Sequence, residues 1–389
     1  MKKKTVFIGL SGGVDSAVSA ALLKRQGYKV VGVFIRTWHP EFLECNEEEE
    51  RRDAMRAAAH LDIPFLTFDF EKEYKKEVAD YMIREYKAGR TPNPDVICNK
   101  EIKFGVFLKK ALAMGADYVA TGHYAQKFSP CQGGVPERQE GLRPLRPLGH
   151  LPFAGEENFY LQKGIDPAKD QSYFLWTLKQ EQLSKILFPI GHLRKTEVRK
   201  LAKKFKIPVA EKKDSQGICF LGAVDLKDFL KHYIKSKKGK VVDEKGGEIG
   251  YHDGAVFFTL GERHGFTITK KNPTDGPYYI VGKDVEKNIL VVSQNPHQTS
   301  PLLRGRQGGG ELKDFSIILN SANWISKIPE SNKKYYAQIR YHGEFFPCTI
   351  KCAKSNFAQV IFGKSILVAS GQSCVLYDKD ICLGGGVVI

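Results

Sequence analysis

The sequence predicts an α/β protein, in which a doubly wound parallel-sheet domain is followed by a small central mixed domain and a C-terminal antiparallel β-barrel. Three observations support this fold class. Short β-branched apolar runs alternate with amphipathic stretches through the first half of the chain, and a glycine-rich loop follows the first run. This is the pattern of a parallel sheet covered by helices. Beyond residue 296, short alternating runs are punctuated by Gly and Asn, as in a small antiparallel barrel.

The first half of the chain alternates predicted strands with predicted helices. Gly27 and Gly115 each follow a predicted helix, and they suit C-caps because glycine readily adopts the left-handed conformation that ends many helices. Strands are predicted at residues 5–10, 30–35, 64–68 and 118–121, and helices at residues 16–26, 47–60, 71–87 and 101–114.

The later segments differ in composition. Residues 127–157 are rich in Pro, Gly, Arg and Gln and lack periodicity, so we interpret them as an irregular insertion in the first domain. A basic helix is predicted at residues 195–205, and a segment of glycines, lysines and short strands follows it. The last predicted strands lie at residues 335–341, 345–351 and 358–362. We therefore expect three domains, at residues 1–214, 215–290 and 291–389.

Charge and hydropathy narrow the class of partner. Lys and Arg number 60 against 44 Asp and Glu, giving a net charge of +16, which suits a polyanionic partner. Taken alone, the lysine run at residues 235–240 favours a solvated loop over a nucleic-acid site. No apolar run approaches the ~20 residues of a membrane helix, and the basic N-terminus lacks a signal-peptide core. We expect a cytoplasmic monomer with no membrane contact.

The cysteines indicate free thiols. No C-x-x-C pair is present and no histidines stand at zinc-finger spacing, so no structural metal site is expected. In a reducing cytoplasm most of these residues should be small buried apolar side chains. The eight cysteines lie at positions 45, 98, 131, 219, 348, 352, 374 and 382.

A glycine-rich loop joins the first predicted strand to the first predicted helix. Its glycines allow a ligand to approach the backbone, its serines supply hydroxyls, and the helix N-terminus favours an anion. It lacks the Gly-Lys-Ser/Thr ending of a Walker loop and the G-x-G-x-x-G spacing of dinucleotide binders. The sequence S-G-G-x-D-S resembles the PP-loop of ATP pyrophosphatases, which implies that ATP binds here and transfers its adenylyl group. The alternative is a glycine-rich turn that binds no ligand. The agreement with the PP-loop at six positions disfavours it. The predicted ATP-binding residues are Gly9, Leu10, Ser11, Gly12, Gly13, Val14, Asp15 and Ser16.

Cys98 lies in a segment with two prolines. Pro92 and Pro94 predict an extended loop, with Cys98 just ahead of a helix that begins near Lys100. A thiol at a helix N-terminus beside Lys100 and Lys103 should ionise more readily than usual. A buried, inert cysteine is an equal alternative on local sequence alone.

Cys219 follows the basic helix in a flexible, glycine-containing segment at residues 213–221. Such a segment can carry a mobile thiol. The alternative, in which Cys219 packs inward between Ile218 and Phe220, remains open on local sequence.

Together these segments resemble the tRNA-specific 2-thiouridylases. Motifs of that family occur in the family's order from Ser11 to Gly386, and so extend over all three predicted domains. They are S-G-G-V-D-S at Ser11, G-R-T-P-N-P-D-x-x-C-N at Gly89, T-G-H-Y at Thr121, K-D-Q-S-Y-F-L at Lys169, D-S-Q-G-I-C-F at Asp214, R-Y at Arg340, and G-Q-x-x-V-x-Y with L-G-G-G near the C-terminus.

The resemblance implies a two-step reaction on the wobble uridine of tRNA. ATP, accompanied by Mg²⁺, adenylates the C2 oxygen, and sulfur carried as a persulfide replaces that oxygen and releases AMP. Cys219 would carry the persulfide, and Cys98 would free the sulfur by forming a disulfide with Cys219. Asp95 is a candidate for proton transfer, and Ile35 and Gly122 would complete the ATP site. The residues expected to contact tRNA are Asn93, Pro94, Asp95, His123, Lys169, Asp170, Gln171, Arg340, Tyr341 and Gln372.

Some questions stay open on the sequence. The sulfur donor is either a cysteine desulfurase or a sulfur-relay protein. Glu262 stands where the family has glutamine, and residues 127–157 are longer than usual for the family. Another PP-loop enzyme, such as an amidotransferase or a lysidine synthase, would need neither cysteine. A tRNA-binding module with a vestigial nucleotide site would bind tRNA without forming AMP.

Overall fold

The structure is a computed structural model that describes residues 3–43, 46–129, 158–214, 217, 219–220, 222, 225–270, 275–295, 315–354 and 356–389. Its strands form a parallel sheet, a mixed sheet and an antiparallel sheet that closes into a barrel, which confirms the predicted fold class. The strands, numbered in chain order, are β1 Thr5–Gly9, β2 Lys29–Arg36, β3 Phe65–Asp69, β4 Tyr118–Ala120, β5 Ala125–Phe128, β6 Tyr160–Lys163, β7 Ile186–Leu187, β8 Gly239–Val242, β9 Glu248–His252, β10 Thr267–Ile268, β11 Tyr279–Asp284, β12 Ile289–Ser293, β13 Phe315–Trp324, β14 Lys334–Gln338, β15 Phe345–Lys354, β16 Phe357–Phe362, β17 Ser373–Asp378 and β18 Ile381–Val388.

Helices flank the parallel sheet and link it to the rest of the chain. The predicted helix at 47–60 has the bounds expected, and the one at 71–87 is continuous but includes a π-helical segment. The α-helical segments are Val14–Arg25, Glu47–His60, Glu71–Tyr74, Asp80–Lys87, Pro94–Ile97, Phe107–Ala113, Gln180–Ser184, Lys195–Lys204 and Leu226–Lys231. The 3₁₀ segments are Ser172–Leu175 and Ala255–Phe257, and the π-helical segments are Lys75–Ala79 and Cys98–Val106. Within the described residues, no helix combines the length and apolar character needed to cross a membrane.

The parallel sheet has the strand order β3-β2-β1-β4-β7. Residues 30–35 of β2 are all buried, because helices cover both faces of a parallel sheet and leave no polar side to the strand. The direction of winding reverses between β1 and β4, and ligands of open α/β sheets bind at the carboxyl ends of the strands at such a point. The glycine-rich loop follows β1, and Gly122 follows β4, so both lie there.

The helix that carries Cys98 begins earlier than the sequence predicts. Three contiguous segments, Pro94–Ile97, Cys98–Val106 and Phe107–Ala113, form one helix, here named the cysteine helix. The predicted extended loop up to Lys100 is therefore wrong beyond Asn93. Proline is tolerated in the first turn of a helix because its missing N–H has no partner there. The Asn93 Oδ1 atom caps that turn by accepting a hydrogen bond from the Val96 N–H at 3.2 Å.

The third sheet closes on itself. Strands β13, β16, β15, β14, β17 and β18 pair in that order, and β13 also pairs with β18. The hairpin β5–β6, from the predicted first domain, extends this sheet by pairing with β18. The predicted domain boundaries remain predictions. Of the predicted insertion at 127–157, residues 130–157 lie outside the described residues.

One buried apolar cluster joins the three sheets. It extends from Val33 in the parallel sheet through Phe104 in the cysteine helix to Leu290 in the mixed sheet and Val375 in the barrel. The cysteine helix thus lies where the three sheets meet. Side chains from all three sheets can therefore surround a substrate there.

Candidate active site

The glycine-rich loop has a backbone that requires glycine. Gly12 has a φ of +72°, and a Cβ atom at this position would overlap the backbone oxygen of Glu50. The Ser11 N–H donates to the Ser16 Oγ atom at 3.3 Å, and the Ser16 hydroxyl donates to the Gly13 carbonyl at 3.1 Å. The loop is thus held in one compact shape by its own serines.

The loop and the following helix fit a phosphate group. Gly13 is the N-cap residue of the helix Val14–Arg25, and no side chain caps the first N–H groups of this helix. Uncapped amides at a helix N-terminus bind anions, and the helix dipole adds to the attraction. Gly122 packs against this end, where a Cβ atom would lie 2.8 Å from the Ser16 nitrogen. The adjacent strand β2 contributes the buried side chain of Ile35.

Asp15 lies in a cluster of charged side chains. The Lys195 Nζ atom is 2.8 Å from both carboxylate oxygens of Asp15, and the Tyr124 hydroxyl donates to Asp15 Oδ1 at 2.7 Å. Lys195 also pairs with Asp214 at 2.8 Å, and Asp214 in turn pairs with Lys169 at 2.7 Å. Although burial opposes it, the hydrogen bonds from Lys169 and Lys195 lower the pKa of Asp214. The cluster places ammonium groups beside the phosphate cradle.

The two cysteines singled out in the sequence are in contact. The Cys98 thiol donates a hydrogen bond to the Cys219 sulfur, with the two Sγ atoms 3.5 Å apart. Both are free thiols in this state. Cys98 is fully buried, whereas Cys219 is half-buried. A small movement would bring the sulfurs to the ~2.05 Å of a disulfide.

The pKa of the Cys98 thiol is shifted in the direction opposite to the one predicted. Burial, followed by its contact with Cys219, raises the pKa of the Cys98 thiol. The hydrogen bond from Cys98 lowers the pKa of Cys219 against the effect of burial, and the charge of Lys103 lowers it further. The predicted ready ionisation of Cys98 is therefore wrong. The helix begins at Pro94, so Cys98 does not precede it, and its thiol is buried. Lys100 pairs with Glu101 at 2.7 Å. Of the two thiols, Cys219 is therefore the more readily ionised.

Backbone hydrogen bonds fix the position of Cys219. The Asp95 Oδ1 atom accepts from the Cys219 N–H at 2.9 Å, and the Tyr74 hydroxyl donates to the Cys219 carbonyl at 2.7 Å. The His39 Nε2 atom lies 2.6 Å from the carbonyl oxygen of Phe220. His39 follows β2 and Tyr74 follows β3, so Cys219 is attached to the sheet edge that carries the phosphate cradle.

A small cavity lies beside the cysteine helix. Its volume is about 120 Å³. The Arg340 Nη2 atom donates to the Leu260 carbonyl at 2.7 Å, and Nε is buried without a hydrogen-bond partner among the described residues. The ring of Tyr341 lies 4.3 Å from that of Phe174 and 3.9 Å from that of His342. The cavity is lined by Pro92, Asn93, Tyr173, Arg340, Tyr341, Gln372 and Ser373.

Four residues predicted to contact tRNA have hydrogen-bond or ion-pair partners within the chain. His123 is buried, and its Nδ1 atom lies 2.8 Å from the Thr121 hydroxyl. Asp170 accepts hydrogen bonds from the Gly164 and Ser172 N–H groups, and Gln171 Oε1 accepts from the Tyr124 N–H at 3.0 Å. Lys169 pairs with Asp214. The structure therefore brings Asn93, Arg340, Tyr341 and Gln372 together at the cavity, but not these four.

No metal site is evident in the part of the chain that the structure describes, where no three His, Cys, Asp or Glu side chains are grouped to hold an ion. Cys45 and Cys131 lie outside the described residues.

Comparisons with known proteins agree along the whole chain. Family models match residues 4–223 as a "tRNA methyl transferase HUP domain", residues 227–294 as a "tRNA methyl transferase PRC-barrel domain" and residues 315–388 as an "aminomethyltransferase beta-barrel domain". The tRNA-specific 2-thiouridylase MnmA of Streptococcus thermophilus is 41% identical over 99% of this chain and 95% of its own length. The proteins of the same name from Methylobacillus flagellatus and Francisella philomiragia are 40% and 39% identical, over 99% and 100% of this chain and 99% and 100% of their own lengths.

The chain belongs to the tRNA-specific 2-thiouridylase family. Among solved structures, the U34-tRNA thiolase NcsA from Methanococcus maripaludis aligns with 60% of this chain and 67% of its own length at 17% identity, with a TM-score of 0.32. That likeness is too low to carry an argument.

Residue 262 is where this member of the 2-thiouridylase family departs from the expected glutamine. Glu262 pairs with Lys227 at 2.6 Å and accepts a hydrogen bond from the Thr259 N–H at 3.0 Å. The carboxylate therefore serves an internal ion pair in the mixed sheet domain. An effect on RNA contact stays a prediction.

Sequence reasoning assigned no role to several residues that the structure places at the site of this 2-thiouridylase. Tyr124, Tyr173 and Asp214 are letters of the motifs already quoted, so their motif membership was the available signal. Lys195, Tyr74 and His39 carried no such signal. They reach the site only through the folding of distant segments.

Proposed function

We propose that this 2-thiouridylase replaces the C2 oxygen of the wobble uridine of tRNA with sulfur, consuming ATP and releasing AMP and pyrophosphate. The observation that carries the proposal is the pair of contacting thiols, anchored to the sheet edge with the phosphate cradle. A uridine oxygen is a poor leaving group, and adenylation makes it a good one. Stored, activated sulfur then replaces it.

The first step joins the base to AMP. The C2 oxygen attacks the α-phosphorus of ATP, the bond to pyrophosphate breaks, and the pyrophosphate leaves. The uncapped amides after Gly13 and the ammonium group of Lys195 stabilise the negative charge on the phosphate oxygens during this step. Mg²⁺ would enter with the phosphates, since these metal ions are held largely by substrate oxygens.

The second step transfers sulfur. With a persulfide on Cys219, the Cys98 thiolate attacks the Cys219 Sγ atom, a Cys98–Cys219 disulfide forms, and the terminal sulfur leaves as HS⁻. That sulfur adds at C2, and AMP departs with the original oxygen. Asp95 is the proposed acceptor of the Cys98 proton, since burial raises the pKa of its carboxyl group. A thiol reductant then restores both cysteines.

The cavity is the proposed site of the uridine. The base must leave the anticodon stack to react, and enzymes hold such bases between aromatic and polar groups. The Tyr341 ring, which packs against Phe174 and His342, lines the cavity, and the Arg340 Nε atom, without a hydrogen-bond partner among the described residues, offers a donor. Asn93, Pro94 and Asp95 are proposed to contact the base from the start of the cysteine helix, with Gln372 opposite. His123, Lys169, Asp170 and Gln171 are the other proposed tRNA contacts, and Asp170 and Gln171 also hold nearby backbone N–H groups in place.

Tyr341→Ala is expected to weaken the productive binding of tRNA, raising KM about tenfold, because base stacking on an aromatic ring contributes about 1–3 kcal/mol. Steady-state thiolation kinetics measure this. Tyr336→Ala is the matched control, since that tyrosine is exposed on the barrel away from the cavity. An unchanged KM in Tyr341→Ala would remove the base from this cavity.

The remaining partners are proposals of the same kind. The sulfur comes from a cysteine desulfurase or a sulfur-relay protein that presents a persulfide to the half-buried Cys219. The enzyme acts as a monomer in the cytoplasm, where a reducing environment keeps its thiols free between turnovers.

Nucleoside analysis tests the function. Protein, ATP, Mg²⁺, unmodified tRNA and a sulfide source should together give 2-thiouridine, with no product when ATP is omitted. A nitrogen-transferring PP-loop enzyme would leave the tRNA free of sulfur and would stay active as Cys98→Ser. A binding module would hold tRNA and form no AMP.

A further inference from the structure

The cysteine helix contains a π-helical segment at Cys98–Val106. In an α-helix, side chains three or four residues apart are neighbours. In a π-helix the hydrogen bonds run from residue i to i+5, so residues five apart are stacked along the helix, and such segments are frequent at functional sites. Cys98 and Lys103 are five apart. The π-helical turn therefore places the thiol and the ammonium group on the same side.

Gly105 makes this turn sterically feasible. A Cβ atom at Gly105 would lie 2.8 Å from the carbonyl oxygen of Lys100, five residues earlier. Side-chain atoms do not approach a backbone oxygen so closely. The glycine thus permits the wide turn, and alanine at this position would oppose it.

Lys103 lies against the sulfur pair. The charge of its ammonium group acts on Cys219, Cys98 and Asp95. The Nζ atom is 5.6 Å from the centre of the Phe220 ring. Burial lowers the pKa of Lys103, but the charges of Cys219 and Cys98 outweigh that effect and raise it. Lys103 is thus a cation placed among groups that become negative.

We propose that Lys103 holds Cys219 as the thiolate that accepts sulfur, and that the π-helical turn of the cysteine helix positions it for this role. The inference rests on the proposed function. The step is attack of the Cys219 thiolate on the outer sulfur of a donor persulfide. A new S–S bond forms on Cys219, the donor S–S bond breaks, and the donor leaves as its own thiolate.

Among the described residues around Cys219 there is no other cation of this kind. His123 is buried, and burial together with the charge of Lys103 lowers its pKa, so it stays neutral. The His39 Nε2 atom contacts the Phe220 carbonyl, and its Nδ1 atom lies 3.5 Å from Glu47. The Glu47 carboxylate therefore balances a positive charge on His39. The titratable and charged groups around the thiolate are Asp95, Cys98, Lys103, Tyr74, His123, His39 and Glu47.

The test is the pH dependence of Cys219 alkylation by iodoacetamide, followed by peptide mass spectrometry. In the wild-type protein Cys219 should have a lower midpoint than Cys98. Lys103→Met should raise the Cys219 midpoint by about one pH unit or more, Lys103→Arg should restore most of it, and Gly105→Ala should raise it with the lysine still present. Lys100→Met is the matched control, because Lys100 is exposed and paired with Glu101.

Two results would overturn the proposal. One is a wild-type midpoint for Cys98 below that of Cys219, which needs no variant to fold. The other is an unchanged Cys219 midpoint in a folded Lys103→Met protein. Alkylation requires neither ATP nor tRNA, so a protein that passes this test and forms no 2-thiouridine would contradict the proposed function alone.

Discussion

Cys219→Ser is expected to reduce 2-thiouridine formation roughly 10³-fold or more, because removal of a covalent nucleophile leaves only binding and activation. A serine hydroxyl cannot carry a persulfide at neutral pH. The phosphate cradle is untouched by the change, so one burst of pyrophosphate release on adding ATP and tRNA should remain. Nucleoside mass spectrometry and a pyrophosphate assay measure the two effects.

Other cysteine variants sharpen this result. Cys98→Ser should lose thiolation to a similar extent but still accept the persulfide on Cys219, which intact-protein mass spectrometry detects as one added sulfur. Cys348→Ala is the control, since that cysteine packs in the barrel and burial raises its pKa to about 12. Full activity of Cys219→Ser would contradict the assigned sulfur carrier.

Asp15→Ala is expected to reduce tRNA-dependent pyrophosphate release roughly 10²-fold, because the ammonium group that this carboxylate positions beside the phosphates is no longer preorganised. The carboxylate holds Lys195 at 2.8 Å and accepts from Tyr124. Without it, the ammonium group is left with Asp214, and the tyrosine hydroxyl loses its partner. ATP should also raise the melting temperature less than in the wild-type protein.

Asp378→Ala provides a matched control for Asp15. It breaks an ion pair of the same 2.8 Å length, Lys333–Asp378, and the two aspartate side chains are exposed to 32% and 31%. This pair lies in the barrel, so its loss should leave pyrophosphate release intact. Equal losses in both variants would show that Asp15 matters for stability and not for the phosphates.

Local patterns predicted much of the fold. Four of the five strands of the parallel sheet agree with the prediction within one residue at each end, since each is a short apolar run bounded by helix signals, whereas the two-residue strand β7 was not predicted. The phosphate cradle was also recognisable, because its glycines and serines are adjacent in sequence. Both features depend on neighbouring residues alone.

The environment of the thiols could not be predicted in this way. Pro94 predicts an extended chain, although in the structure it begins a helix that Asn93 caps. In our proposal the ionisation of Cys219 depends on Lys103, which lies in the π-helical segment that contains Gly105. That turn has no simple periodic signature, and the contact between Cys98 and Cys219 spans 121 residues.

The central claim is that the two contacting thiols deliver the sulfur. A single-turnover reaction tests it, with protein loaded with one persulfide sulfur on Cys219, ATP, Mg²⁺ and tRNA in the absence of reductant. Equal amounts of 2-thiouridine and of the Cys98–Cys219 disulfide are expected to form together. Formation of 2-thiouridine with both cysteines still reduced would contradict it.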